Sequence, residues 1–156
     1  MRRVAPRAAT ATLITGAAGA VVVGCAPQLP TWDDIRAETN ATMQEVVDLL
    51  PTEVVVDDLT NSRPYGCERG VMYTGHLDID PGPDFDIPAF IESLDDTLPE
   101  GFEPRTSQVR VSFARALFTA EPYGSTLLKV TENTAGGRNT IDVLAISRCG
   151  EPPQGD

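Results

Sequence analysis

Basic residues are scarce in this chain: 12 lysines and arginines, with Lys129 the only lysine, stand against 23 aspartates and glutamates. A phosphate backbone is bound by a basic face, so this balance excludes a nucleic-acid partner, and it argues equally against electrostatic docking on anionic lipid. Histidine is scarcer still, with His76 alone, and cysteine occurs only at Cys25, Cys67 and Cys149. One histidine and such widely spaced cysteines lack the paired ligand spacing of a metal site. There is no Gly-x-Ser-x-Gly elbow, no Walker loop and no Gly-x-Gly-x-x-Gly, and Gly136-Gly137 precedes a strand pattern rather than a helix. No nucleotide, cofactor or metal is therefore expected, and no residue is assigned a catalytic role. The chain also lacks ~20 strongly apolar residues in a row, the length that spans a bilayer.

What stands at the N-terminus instead is a basic start, Arg2, Arg3 and Arg7, followed by the charge-free run Ala8 to Gly24, built from Ala, Gly, Thr, Leu, Ile and Val. That is the layout of a cleavable secretory signal. The run ends in Val22-Val23-Gly24-Cys25. The tetrapeptide resembles the lipobox of bacterial lipoproteins, with Val22 where Leu is usual and a small residue directly before the cysteine. The resemblance implies that the Cys25 sulfur receives a diacylglycerol and that cleavage makes Cys25 the first mature residue. It further implies that the membrane is a partner through this lipid, on the outer face of the cytoplasmic membrane. Two acyl chains hold a protein firmly, at ~0.8 kcal/mol per buried CH₂. The expected organisation is a signal over 1–24, a lipidated tether over 25–30, one domain over 31–150 and a flexible tail over 151–156.

Loss of the signal removes three of the 12 basic residues, leaving nine against 23 acidic ones and a net charge of −14. The remaining 132 residues suit a single domain with one core. Five tether residues reach only ~16 Å when extended, which would hold the domain close to the bilayer.

Along the mature chain, Thr31 caps a helix that carries Asp33 and Asp34 in its first turn and an apolar stripe of Trp32, Ile35, Thr39, Met43, Val46, Val47 and Leu50; Pro51 stops it. Glu53 to Leu59 reads as a short strand. Gly70 to Ile79 reads as a half-buried one, with Val71, Tyr73, Gly75, Leu77 and Ile79 on its inner face. Asp86 caps a second helix with Ile87, Phe90, Ile91, Leu94 and Leu98 inward, ended by Pro99 and Gly101. Gln108 to Phe113 alternates as a strand with Val109, Val111 and Phe113 inward, and Thr126 to Glu132 and Thr140 to Cys149 are joined through Gly136-Gly137. This order predicts an α+β domain, an antiparallel sheet of about four to five strands with two helices packed on one face.

Two groups of residues invite a chemical reading. Asp78, Asp80, Asp84 and Asp86 form the densest carboxylate cluster, but counting twelve from Asp78 puts Ala89 where an EF-hand needs a bidentate glutamate. They read as a solvated turn whose last member caps a helix. His76 shares a strand face with Asp78, yet Ser125 sits in a plain Tyr-Gly-Ser-Thr turn with no elbow around it. With Cys25 taken by lipid, Cys67 and Cys149 remain, and an exported chain keeps disulfides. The start of one strand and the end of another place the two side by side, so a Cys67–Cys149 bridge is expected.

The Leu98-Pro99-x-Gly101-aromatic turn and the closing Ser147-Arg148-Cys149, in a short acidic chain rich in Ala, Asp, Arg and Val, resemble small lipoproteins of high-GC Gram-positive bacteria. That resemblance implies a compartment and an architecture, without an activity. The expected role is a non-enzymatic binding or interaction module with a protein or small-molecule partner. The alternatives are a hydrolase-like enzyme of unrecognised type, with His76 and the Asp78 to Asp86 carboxylates as its only candidates, and a carrier of an apolar ligand between sheet and helices.

Overall fold

The computed structural model describes residues 28–154. The signal 1–24 and the lipidation expected at Cys25 lie outside the described residues.

Helix α1 (Trp32–Asp48) starts where the chain can satisfy its own first amides. Thr31 Oγ1 accepts from the Asp34 amide at 3.2 Å and the Asp34 carboxylate accepts from the Thr31 amide at 3.1 Å, a reciprocal capping box. Its inner stripe includes Ile35, Thr39, Thr42, Met43 and Val46. The two threonines enter the core at no polar cost, because their hydroxyls donate to the Ile35 and Glu38 carbonyls one turn earlier. Helix α2 (Ile87–Thr97) is capped by Asp86, which accepts from the Ala89 amide at 3.0 Å, as expected, with Pro88 in the first turn where a missing amide does no harm.

The strands are β1 (Val55–Asp58), β2 (Tyr65–Cys67), β3 (Gly70–Met72), β4 (Thr74–Asp80), β5 (Phe102–Pro104), β6 (Arg115–Ala120), β7 (Thr126–Asn133) and β8 (Thr140–Ile146). Six of them form an antiparallel sheet in the order β1-β4-β8-β7-β6-β5, and β2 and β3 form a separate hairpin. The fold is α+β with both helices against the sheet, as expected, with more strands than four to five. Helix α2 carries the polypeptide from β4 to the far edge, and β5 to β8 then meander back until β8 pairs with β4. The two edges are blunted by Asp57 and Asp58 in β1 and by Pro104 in β5.

Two expected strands differ. Gly70 to Ile79 is interrupted at Tyr73: its first part pairs with β2, and its second enters the main sheet. Tyr73 serves both, since its amide donates to Ser147 Oγ at 2.8 Å while its carbonyl accepts from the Ser147 amide at 2.9 Å. Gln108 to Phe113 is not a strand, and Val109, Val111 and Phe113 do not point into the core; they are exposed. The strand in that region is Arg115–Ala120 instead. The physical reason is that β5 already occupies the edge beside β6, its ladder closing with the Arg105 amide on the Leu117 carbonyl at 2.7 Å. The intervening residues are used in reversing direction, and Arg115 Nη2 donates to the Val109 carbonyl at 2.7 Å to hold that reversal.

Between the layers, Met43, Val46, Leu50, Ile79, Ile87, Ile91, Leu94, Phe118, Leu128, Val130, Ile141, Val143 and Ala145 make one core cluster. Helix α1 comes close enough to β4 that Gly75 has no room for a side chain: a Cβ there would meet the Met43 thioether. At the β7–β8 turn, Gly136 and Gly137 have φ of 68° and 75°, the left-handed conformation expected of them.

Cys67 and Cys149 are bridged, with Cα atoms 6.2 Å apart. The bond ties the β2–β3 hairpin to the chain leaving β8, beside the Val71·Gly150 bridge. The start of the expected tail is held at the same end, where the Glu151 amide donates to the Pro30 carbonyl at 2.8 Å.

Candidate functional site

Strand alternation decides which side chains are left over once the helices have covered one face. On β4 the core takes Gly75 and Ile79, so Thr74, His76, Asp78 and Asp80 fall on the other face. The same logic puts Thr140, Asp142, Leu144 and Ile146 of β8, Leu127, Lys129, Thr131 and Asn133 of β7, and Arg115, Leu117 and Thr119 of β6 on that helix-free face.

Register then aligns one polar row straight across five strands: Asp57, Asp78, Asp142, Thr131 and Arg115. Three carboxylates directly opposite one another repel. Countercharges sit around them. His76 Nε2 lies 2.5 Å from Asp142 Oδ2, Lys129 Nζ lies 3.9 Å from Asp142 Oδ1, and Arg138, reaching in from the β7–β8 turn, lies 3.3 Å from Asp78 Oδ2. The compensation is incomplete. Asp78 is 6% exposed, yet among the described residues its Oδ1 has no hydrogen-bond partner, and the buried hydroxyls of Thr131 and Thr140 on the same face have none either. Leaving such a group unsatisfied costs ~1–3 kcal/mol, and native folds keep these exceptions few.

At the end of this row, Phe113, Glu132, Asn133, Thr134 and Ala135 join Thr131 and Asp142 in lining an open cavity of about 390 Å³. Phe113 forms part of it because the reversal before β6 brings its ring to the end of β7. The side chain that the alternation of Gln108 to Phe113 assigned to the core is thus on the surface.

The residues singled out from the sequence separate. Asp78 is in β4 and buried rather than in a solvated turn. Asp80 is exposed and accepts from the Gly82 amide at 2.9 Å, and Asp86 serves the helix cap. The four carboxylates do not converge, and among the described residues no group of three or more His, Cys, Asp or Glu side chains is placed to hold a metal ion. His76 does share a face with Asp78, but its ring pairs with Asp142, 66 residues away. Ser125 bonds to Glu121 on the β6–β7 connection, at the other end of the sheet. The His76 ring bonds to Asp142, while its backbone exchanges hydrogen bonds with Thr60 Oγ1 and accepts from the Leu59 amide. A histidine–carboxylate pair without a hydroxyl or thiol bonded to it lacks the nucleophile of a triad.

Asp142, Lys129, Thr131 and Arg138 escaped the sequence reading. The available signal was Asp142, the lone charge in the Thr140–Ile146 strand, which is apolar from Val143 onward.

Comparison with family models, with curated proteins and with solved structures returns no match. Among the described residues no helix is long and apolar enough to cross a membrane.

Proposed function

We propose that this chain is an extracytoplasmic lipoprotein anchored through Cys25 to the outer face of the cytoplasmic membrane. It acts as a non-enzymatic binding module whose recognition surface is the helix-free face of the sheet. The observation that carries the binding role is the polar row on that face, where Asp78 and Thr131 are buried with atoms that no group among the described residues satisfies. An evolved surface that retains such a cost is one where the missing partner comes from outside. The anchor rests on the signal layout and lipobox, and the Cys67–Cys149 bridge is what an exported chain would carry.

Two features favour this over the other roles. An enzyme would need a nucleophile or metal with His76, and Asp142 is the side chain its ring meets. A carrier of an apolar ligand would need an apolar cavity between the layers, whereas the cavity of about 330 Å³ where α2 meets β5 and β6 is lined mainly by polar side chains, Glu92, Asp95, Arg105, Ser107 and Arg115 among them.

The test is photocrosslinking in cells producing the full chain, with the reactive residue at Leu127 or Leu144 on the open face, or at the exposed Asp96 on α2. Adducts from the open face and none from α2 are expected. Equal labelling from both faces sinks the recognition surface. Cys25→Ser should release the protein from the membrane fraction, and a variant that remains equally bound refutes the anchor.

A further inference from the structure

We infer that the cavity at the Phe113 end of the open face binds a pyranose unit of a neutral glycan; this rests on the open-face reading above. Its floor is Thr131, 8% exposed, whose hydroxyl has no partner among the described residues although it can both donate and accept. Asp142 gives one oxygen to His76, while its Oδ1, 3.9 Å from Lys129, stays beyond hydrogen-bond reach and remains an acceptor. The Lys129 charge balances that carboxylate, so the site does not demand a cation. Asn133 uses its carbonyl oxygen on the Ala135 amide, which leaves its NH₂ as a donor. Glu132 gives one oxygen, Oε2, to the Ala114 amide. The Phe113 ring, on a residue 40% exposed, supplies an apolar platform.

Donors and acceptors interleaved around one aromatic ring match a polyol whose hydroxyls do both and whose C–H face is apolar. A purely apolar ligand would leave Thr131, Asn133 and Asp142 unmet, and a lone ammonium, which only donates, would leave the Asn133 NH₂ without an acceptor. The volume of about 390 Å³ lies at the small end of ligand sites, ~300–1,000 Å³, the scale of one or two sugar rings rather than an extended polypeptide. Position agrees with this occupant. The cavity lies where β8 begins, and the chain enters from Pro30 where β8 has ended, so ~20 Å of strand separates them. An anchored domain would thus hold the cavity away from the bilayer, toward surface polymers.

Saturation-transfer difference NMR on the detergent-solubilised full chain tests this, with methyl α-glucopyranoside, methyl α-mannopyranoside and methyl N-acetylglucosaminide as probes and tetramethylammonium as the cation control. Ring-proton saturation of at least one pyranoside is expected. Its affinity should fall about tenfold in Phe113→Ala and in the isosteric Thr131→Val, the loss of about one contact, and be unchanged in Val109→Ser. Saturation of tetramethylammonium alone, no saturation of any probe, or pyranoside binding indifferent to both variants overturns the inference. Crosslinks from Leu127 or Leu144 without pyranoside binding overturn the glycan and leave the recognition face standing. Pyranoside binding that survives a failed membrane-release test supports the glycan and removes only the anchor.

Discussion

Replacing Asp78 by asparagine should make this domain more stable. Asp78 is 6% exposed and faces Asp57 and Asp142 directly across its two neighbouring strands. Each like-charge pairing costs ~0.2–1 kcal/mol, and the partnerless Oδ1 costs ~1–3 kcal/mol. Against this stands one ion pair, Arg138 at 3.3 Å, whose side chain is 63% exposed and whose worth is therefore ~0–1 kcal/mol. Asparagine removes the repulsion, and its NH₂ can donate to Asp142, while an oxygen remains for Arg138. Part of the unsatisfied cost persists because the amide still has a buried atom to place, so the net gain should be about 1 kcal/mol. For a domain of this size that raises the melting temperature by roughly 3–6 °C. Urea unfolding followed by Trp32 fluorescence, with an unchanged slope, reads the difference. If Asp78→Asn loses 1 kcal/mol or more, the carboxylate is a structural brace for the β7–β8 turn and the argument that the polar row is held at a cost for recognition fails.

Cys67→Ser should cost about 4.5 kcal/mol, since the bridge closes a loop between residues 82 apart in sequence, and a reductant should lower the wild-type midpoint to that of the variant; a loss below 1 kcal/mol refutes the loop-closure account. Gly75→Ala should cost about 1–3 kcal/mol by driving a Cβ into the Met43 thioether, and a double-mutant cycle with Met43→Val should show coupling between the two sites; additive effects would place the strain elsewhere. The hydrogen bond from Tyr123 to Glu45, then burial, then the charges of Glu45 and Asp48 raise the tyrosine above its ordinary value of 10.0. The neutral phenol is thus favoured in the folded state, so this contribution is complete below pH 10.0 and is lost as pH rises through the folded value. Tyr123→Phe should lower stability at pH 8 and flatten its decline above pH 10, as a series of thermal melts would show; an unchanged alkaline slope contradicts the sign.

Several features were decided locally and could be read without the fold. Thr31 with Asp34, and Asp86 with Pro88, close the first turns of α1 and α2 using side chains three residues away or fewer, so no distant contact had to be known. Pro51 ends α1 because it cannot extend the helical hydrogen bonding of the chain before it. Gly136 and Gly137 turn the β7–β8 connection because they tolerate positive φ. The Cys67–Cys149 pair was legible because few cysteines remained once Cys25 was assigned to lipid. Other features depended on which strand lies beside which. The alternation of Val109, Val111 and Phe113 satisfies the strand pattern perfectly well, but β5 holds the edge beside β6, and a ladder position already filled cannot be read from the segment it excludes. His76 meets Asp142, and Asp78 meets Arg138, only because the meander returns β8 to the side of β4. Periodicity assigns a residue to a face of its own strand, whereas register across strands assigns its neighbours, and that register is set by the packing of the whole core.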